Sequence, residues 1–119
     1  MIKGSCLCGK TQVNADFMKN QIIVCHCSMC LKQAAGPIFY SYGLSLDDYR
    51  FTETSEVAIF ASSENAERGF CQSCGTFLFM RYKKDTSTYF NIELFDEIDK
   101  SLAKEIHLKD KKGYYSLTT

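Results

Sequence analysis

Residues 22–30 read Ile22-Ile23-Val24-Cys25-His26-Cys27-Ser28-Met29-Cys30, an apolar β-branched run that passes directly into three closely spaced cysteines. Branching at Cβ restricts χ1 and suits a pleated strand, so these cysteines are expected at a strand end. Successive side chains of an extended segment point to opposite faces. Cys25 and Cys27 therefore share a face and His26 points away from them, which suits His26 to a supporting role better than to a fourth ligand. A short helical or irregular stretch through Lys32, Gln33 and Ala34 follows Cys30, stopped by Gly36 and the chain's only proline, Pro37.

Working outward, the other four cysteines fall in two flanking clusters, Cys6-Leu7-Cys8-Gly9 and Cys71-Gln72-Ser73-Cys74-Gly75. Each supplies two thiols followed by a glycine, the residue needed where a tight turn aims backbone amides at sulfur. Cys6, Cys8, Cys71 and Cys74 together make a four-thiolate set of the kind zinc takes in closed structural sites, with an iron–sulfur cluster or copper as the alternatives. The middle cluster, Cys25, Cys27 and Cys30, offers three thiolates, and the chain has 7 cysteines in all, so no eighth completes it. Three protein ligands with a vacant position is the catalytic zinc pattern. A second structural zinc closed by His107 or a carboxylate is the competing arrangement.

Composition narrows the setting. The 119 residues suffice for one core, so a single domain over 1–119 is expected. The 14 Lys+Arg balance the 14 Asp+Glu, leaving no chain-wide field to draw nucleic acid or an anionic membrane. The opening MIKGSCLCGK lacks an apolar core, and no run approaches about 18 apolar residues, so neither a signal peptide nor a spanning helix is expected and the protein is placed in the cytoplasm. Thiolate metal sites persist in that reducing compartment, where disulfides rarely do.

The remaining pattern predicts a mostly β chain. Strands are expected around residues 12–15, 22–24, 38–42, 49–52, 57–61, 69–71, 77–82 and 89–94, separated by Ser-, Asn-, Asp- and Glu-rich connections. A polar turn is expected from Met18 to Gln21. Asp96 to Ala103 is expected to make one or two helical turns, and Ile106 to Leu108 a last short strand.

The text Gly-Ser-Cys-Leu-Cys-Gly at 4–9, Cys-His-Cys-Ser-Met-Cys-Leu-Lys at 25–32, Gly36, and Arg-Gly-Phe-Cys-Gln-Ser-Cys-Gly-Thr at 68–76 resembles the glutathione-dependent formaldehyde-activating enzyme family, also called the centromere protein V/GFA domain. The resemblance runs to about Glu105-Ile106-His107-Leu108. It implies a β-tent, antiparallel sheets folded around two zinc sites with little helix. It implies that Cys6, Cys8, Cys71 and Cys74 hold a structural zinc and that Cys25, Cys27 and Cys30 hold a catalytic one. Many members carry a tryptophan near the C-terminus, where this chain, with no Trp, has Tyr114 and Tyr115.

The implied activity is that of an S-(hydroxymethyl)glutathione synthase, a carbon–sulfur lyase that joins glutathione, or a related thiol, to an aldehyde. A non-catalytic zinc-binding interaction module on the same fold is the alternative. A reductase of the methionine sulfoxide reductase B type would need a free nucleophilic cysteine late in the chain, and none follows Cys74. Lys32 and Arg68, close in sequence to the ligands, are candidates for the substrate carboxylates. His26 is a candidate for substrate contact, and His26, Tyr40 or water for proton transfer.

Overall fold

Short β-branched and aromatic runs, punctuated by small polar residues, fold into ten strands and one α-helix among the described residues. The computed structural model describes residues 1–18, 21–98 and 100–117, with 101–103 described by their backbone alone. In chain order the elements are β1 (Ile2–Ser5), β2 (Gln12–Ala15), β3 (Gln21–Cys25), α1 (Ser28–Ala34), β4 (Ile38–Tyr40), β5 (Tyr49–Phe51), β6 (Val57–Phe60), β7 (Ala66–Cys71), β8 (Phe77–Tyr82), β9 (Thr88–Phe90) and β10 (Ser101–Ile106). They form three sheets, ordered β1-β2-β5, β10-β3-β4 and β6-β7-β8-β9. No described helix is long and apolar enough to cross a membrane.

Most expected strand positions are matched, but residues 92–94 form a 3-10 turn rather than the end of a strand. Of 106–108 only Ile106 lies in a strand, with His107 in the left-handed region and Leu108 opening a 3-10 turn. The chain opens on β1, which pairs antiparallel with β2 and went unread because Lys3, Gly4 and Ser5 carry little strand signal. The helix expected within 96–103 is absent from the described residues there. Asp96 to Ile98 form a bend, and residues 101–106 form β10, which pairs parallel with β3 from Ser101↔Gln21 to Ile106↔Cys25. Pairing with a buried strand has overridden the local helical tendency of Leu102, Ala103, Lys104 and Glu105. This pair also makes its sheet mixed rather than wholly antiparallel. The turn expected from Met18 to Gln21 includes residues 19–20, outside the described residues.

Two apolar clusters hold the sheets together, and β3 contributes to both. Ile22 and Val24 join the larger core with Val13, Phe79, Phe90 and Phe95. Ile23 and Cys25 join a smaller cluster with Cys30, Ile38 and Tyr40. This division is the period of two expected of a strand buried on both faces. In the larger core Phe90 is the hub, with ring centroids 4.8 Å from Tyr49, 5.8 Å from Phe79 and 5.9 Å from Phe95. Backbone bonds from Ser41 N to Phe90 O (2.8 Å) and between Leu44 and Thr88 (2.8 and 2.9 Å) connect the β4 and β9 regions.

Gly69 on β7 leaves room for the Phe79 ring directly across the ladder. A Cβ at residue 69 would stand 2.4 Å from two of that ring's carbons. Overpacking of this kind costs about 1–3 kcal/mol. Gly69→Ala is therefore expected to lower the urea midpoint, whereas Gly36→Ala, with nothing within 4 Å of the added carbon, leaves it nearly unchanged.

Candidate metal centres

The outer cluster is assembled by two turns far apart in the chain. Gly9 (φ +83°) and Gly75 (φ +78°) adopt the left-handed backbone that glycine takes without penalty. Gly9 N donates to Cys6 O at 3.2 Å and Gly75 N to Cys71 O at 2.8 Å, closing both turns. The turns lean on each other through Leu7 N, which donates to Thr76 Oγ1 at 3.1 Å. All four sulfurs lie within 4.8 Å of one another. Cys6 and Cys8 Sγ are 3.6 Å apart, and Cys8 and Cys71 Sγ 3.9 Å. Zn–S bonds of about 2.3 Å in a tetrahedron imply S···S edges of about 3.8 Å, so the spacing fits a metal. A disulfide, at about 2.05 Å, is excluded, and all seven cysteines are free.

Two of these sulfurs also have donors beside them. Thr11 N donates to Cys6 Sγ at 3.4 Å. Cys74 Sγ lies 3.1 Å from Thr76 Oγ1, and the Thr76 hydroxyl and backbone N–H hold its pKa down at about 5.

The inner cluster grows from the end of β3. Cys27 is the N-cap of α1, with extended backbone and its sulfur accepting from Cys30 N at 3.3 Å, so the helix start folds Cys30 back beside Cys27. Ala35 ends the helix in the left-handed region, with Gly36 and Pro37 beyond it. The three sulfurs lie within 4.8 Å of one another, with Cys27 and Cys30 at 3.1 Å. In the protonated cluster the thiols share protons unevenly. Cys30 is held down at about 5, first by the Cys25 thiol and, against its burial, by Tyr40, Arg68 and Cys27. Cys25 is pushed up, first by its bond to Cys30 and then by burial. Tyr40, whose hydroxyl is 3.4 Å from Cys30 Sγ, is also pushed up by burial and by Cys30, and so keeps its proton as a donor to that sulfur.

No fourth ligand joins this set among the described residues. The three cysteines instead line a cavity of about 320 Å³, whose walls include Ile23, Met80, Tyr89, Lys104 and Ile106 and whose polar lining includes Asn65 and His107. His107 lies in the left-handed region (φ +57°) just past β10. It borders the cavity without joining the sulfurs.

His26 is turned away from this cavity and wholly buried. Its Nε2 is 2.7 Å from Glu105 Oε1 and its Nδ1 2.6 Å from Tyr115 Oη. Facing a carboxylate, Nε2 is the nitrogen that donates, and Nδ1 is paired with the tyrosine hydroxyl. The parallel register delivers Glu105, since His26 N also donates to Ile106 O at 3.1 Å.

Arg68 lies in the cavity wall, buried beside Cys30. Lys32 is exposed on α1 and lines a neighbouring groove of about 250 Å³ with Arg68, Met29 and Phe60. Sequence reasoning missed Glu105, Tyr115, Lys104 and Asn65. Reading 101–106 as a strand would have found two of them, because alternation places Lys104 and Ile106 at the cavity and Glu105 on the other face. Nothing in the sequence marks Tyr115 as the partner of a residue 89 positions away.

Comparison with known proteins bears on this arrangement. The family model described as glutathione-dependent formaldehyde-activating enzyme matches residues 1–111. A Schizosaccharomyces pombe protein described as an uncharacterized lyase is 30% identical over 115 residues, covering 95% of this chain and 82% of that protein. A crystal structure of a Rhodobacter sphaeroides protein matches with a TM-score of 0.65 at 18% identity, covering 82% of this chain and 91% of the other. At that identity the likeness is one of fold.

The two clusters should respond differently to loss of a ligand. The outer one ties residues 6–8 to 71–74, whereas the inner one closes a loop of six residues. Structural zinc contributes roughly 10–16 kcal/mol of apparent binding energy to folding, against a usual net stability of about 5–15 kcal/mol. Cys74→Ser is therefore expected to give unfolded or insoluble protein. Cys27→Ser is expected to stay folded by circular dichroism and to lose one of two metal ions by elemental analysis.

Proposed function

The chain belongs to the glutathione-dependent formaldehyde-activating enzyme family, and from that membership we propose that it is a zinc-dependent carbon–sulfur lyase acting on the adduct of a small thiol, such as glutathione, with an aldehyde. The observation that carries this reading is the contrast between the clusters. Four sulfurs close one site, while three sulfurs without a fourth protein ligand among the described residues line a cavity. On this proposal the chain would hold two zinc ions, one at Cys6, Cys8, Cys71 and Cys74 and one at Cys25, Cys27 and Cys30. Zinc held by Cys25, Cys27 and Cys30 would supply an exchangeable position that favours the deprotonated form of a substrate thiol.

The protein's own groups bind and orient the substrate. Condensation joins the thiol sulfur to the aldehyde carbon and moves the thiol proton to the carbonyl oxygen, and cleavage is the reverse. His26, buried behind the knuckle with both ring nitrogens engaged, orients the Cys25–Cys27 segment. His107, exposed and bordering the cavity, is the imidazole placed to exchange the substrate proton. Lys104 in the cavity and Lys32 in the adjoining groove supply cationic donors for the carboxylates of a glutathione-like thiol. The cytosol, where free thiolates persist, is the matching compartment.

Calorimetric titration in two buffers of different ionisation enthalpy tests this function. Glutathione is expected to bind with proton release, because the coordinated thiol is deprotonated. S-Methylglutathione keeps both carboxylates without an ionisable thiol and should bind weaker by roughly tenfold or more. Equal affinities without proton release would move the protein to the non-catalytic zinc-binding module.

A further inference from the structure

Arg68 is the one buried lysine or arginine among the described residues. It projects from β7 with 5% of its surface exposed. Its Nη1 donates to two neutral oxygens, Gln33 Oε1 at 2.8 Å and Tyr40 Oη at 3.4 Å. Its Nη2 donates to Cys30 Sγ at 3.5 Å, its Nε is buried without a partner, and its Cζ stands 5.9 Å from the Phe77 ring centroid. Among the described residues no carboxylate forms an ion pair with it. A guanidinium does not shed its proton in a protein, and a buried charge without a counter-charge is strongly unfavourable. The counter-charge within contact is the sulfur cluster.

The charge count gives this contact a consequence, resting on the three-thiolate metal reading above. Three thiolates and a dipositive ion sum to −1, which Arg68 brings to zero. A neutral fourth ligand leaves the site at zero. An anionic one brings it to −1, where a site lacking Arg68 would reach −2 beside two buried cysteines, Cys25 and Cys30. We infer that Arg68 tunes ligand specificity, its buried charge offsetting the three-thiolate site and so lowering the cost of an anionic sulfur ligand relative to a neutral one. The outer cluster has no such buried cation among the described residues. Its Cys8 is exposed and its Cys74 partly so, leaving water to solvate its charge. On this reading Arg68 is a positioning residue acting through the cluster, not the receptor for a substrate carboxylate.

The test uses cobalt(II)-loaded protein, whose absorption reports the metal's ligands directly, titrated with glutathione as the anionic ligand and imidazole as the neutral one. Arg68→Met is expected to weaken glutathione binding about tenfold or more while changing imidazole binding by less than about twofold. Arg68→Lys, which keeps the charge without the fork, should restore most of the preference. Equal weakening of both ligands, or no change in either, overturns the inference. Should Arg68→Met fail to retain cobalt at the inner site, retention by Arg68→Lys but not by Arg68→Gln supports the charge argument, and loss in both overturns it. A wild-type protein that takes no thiol at the metal overturns the proposed function and this inference with it. Thiol binding by wild type and Arg68→Met alike overturns this inference alone.

Discussion

One short strand has to satisfy two interiors. β3 is buried on both faces, so it sends Ile22 and Val24 into the main core and Ile23 and Cys25 into the cluster beneath the cavity. The alternation does not stop where the strand ends. It carries on through His26 and Cys27, so a thiol, a buried imidazole and a second thiol leave the backbone on alternate sides. A slip of one residue in the β3–β10 pairing would turn His26 towards the cavity and both cysteines away from it. The register with β10 and β4 thus fixes the cysteine cluster as firmly as the spacing of the cysteines does.

The two clusters solve different problems with the same chemistry. The outer one draws together two turns in different sheets, with glycine supplying the backbone that each turn requires. The inner one adds little constraint on the chain, because α1 already folds Cys30 back to Cys27. Its support comes from behind and beside: Glu105 and Tyr115 on His26, and Tyr40 and Arg68 on Cys30.

Much of this was legible in the sequence because it depended on local spacing. The division into four and three cysteines, the strand ends that carry them, the glycine turns and the direction of His26 all follow from residues within a few positions of one another. β8 was read to its exact ends, 77–82. Long-range pairing was not legible. Residues 101–106 have helical propensity and become a strand through their partner β3, and misreading them hid Lys104 and Glu105 together. Arg68, close in sequence to a ligand of the outer cluster, serves the inner one, since β7 leads from its neighbourhood back towards Cys30. Lys32, two residues from an inner ligand, lies on the exposed side of α1.

The partners of His26 also impose an order in time. A chain leaves the ribosome from its N-terminus at about 5–20 residues per second, and the inner knuckle emerges early. Glu105 and Tyr115, 79 and 89 positions further on, appear several seconds after it. Until then the imidazole has neither hydrogen-bond partner and β3 lacks its parallel neighbour. Translation therefore exposes three unsupported thiols for several seconds before the site that needs them exists. During that interval the three thiols lack the groups that later hold and shield them.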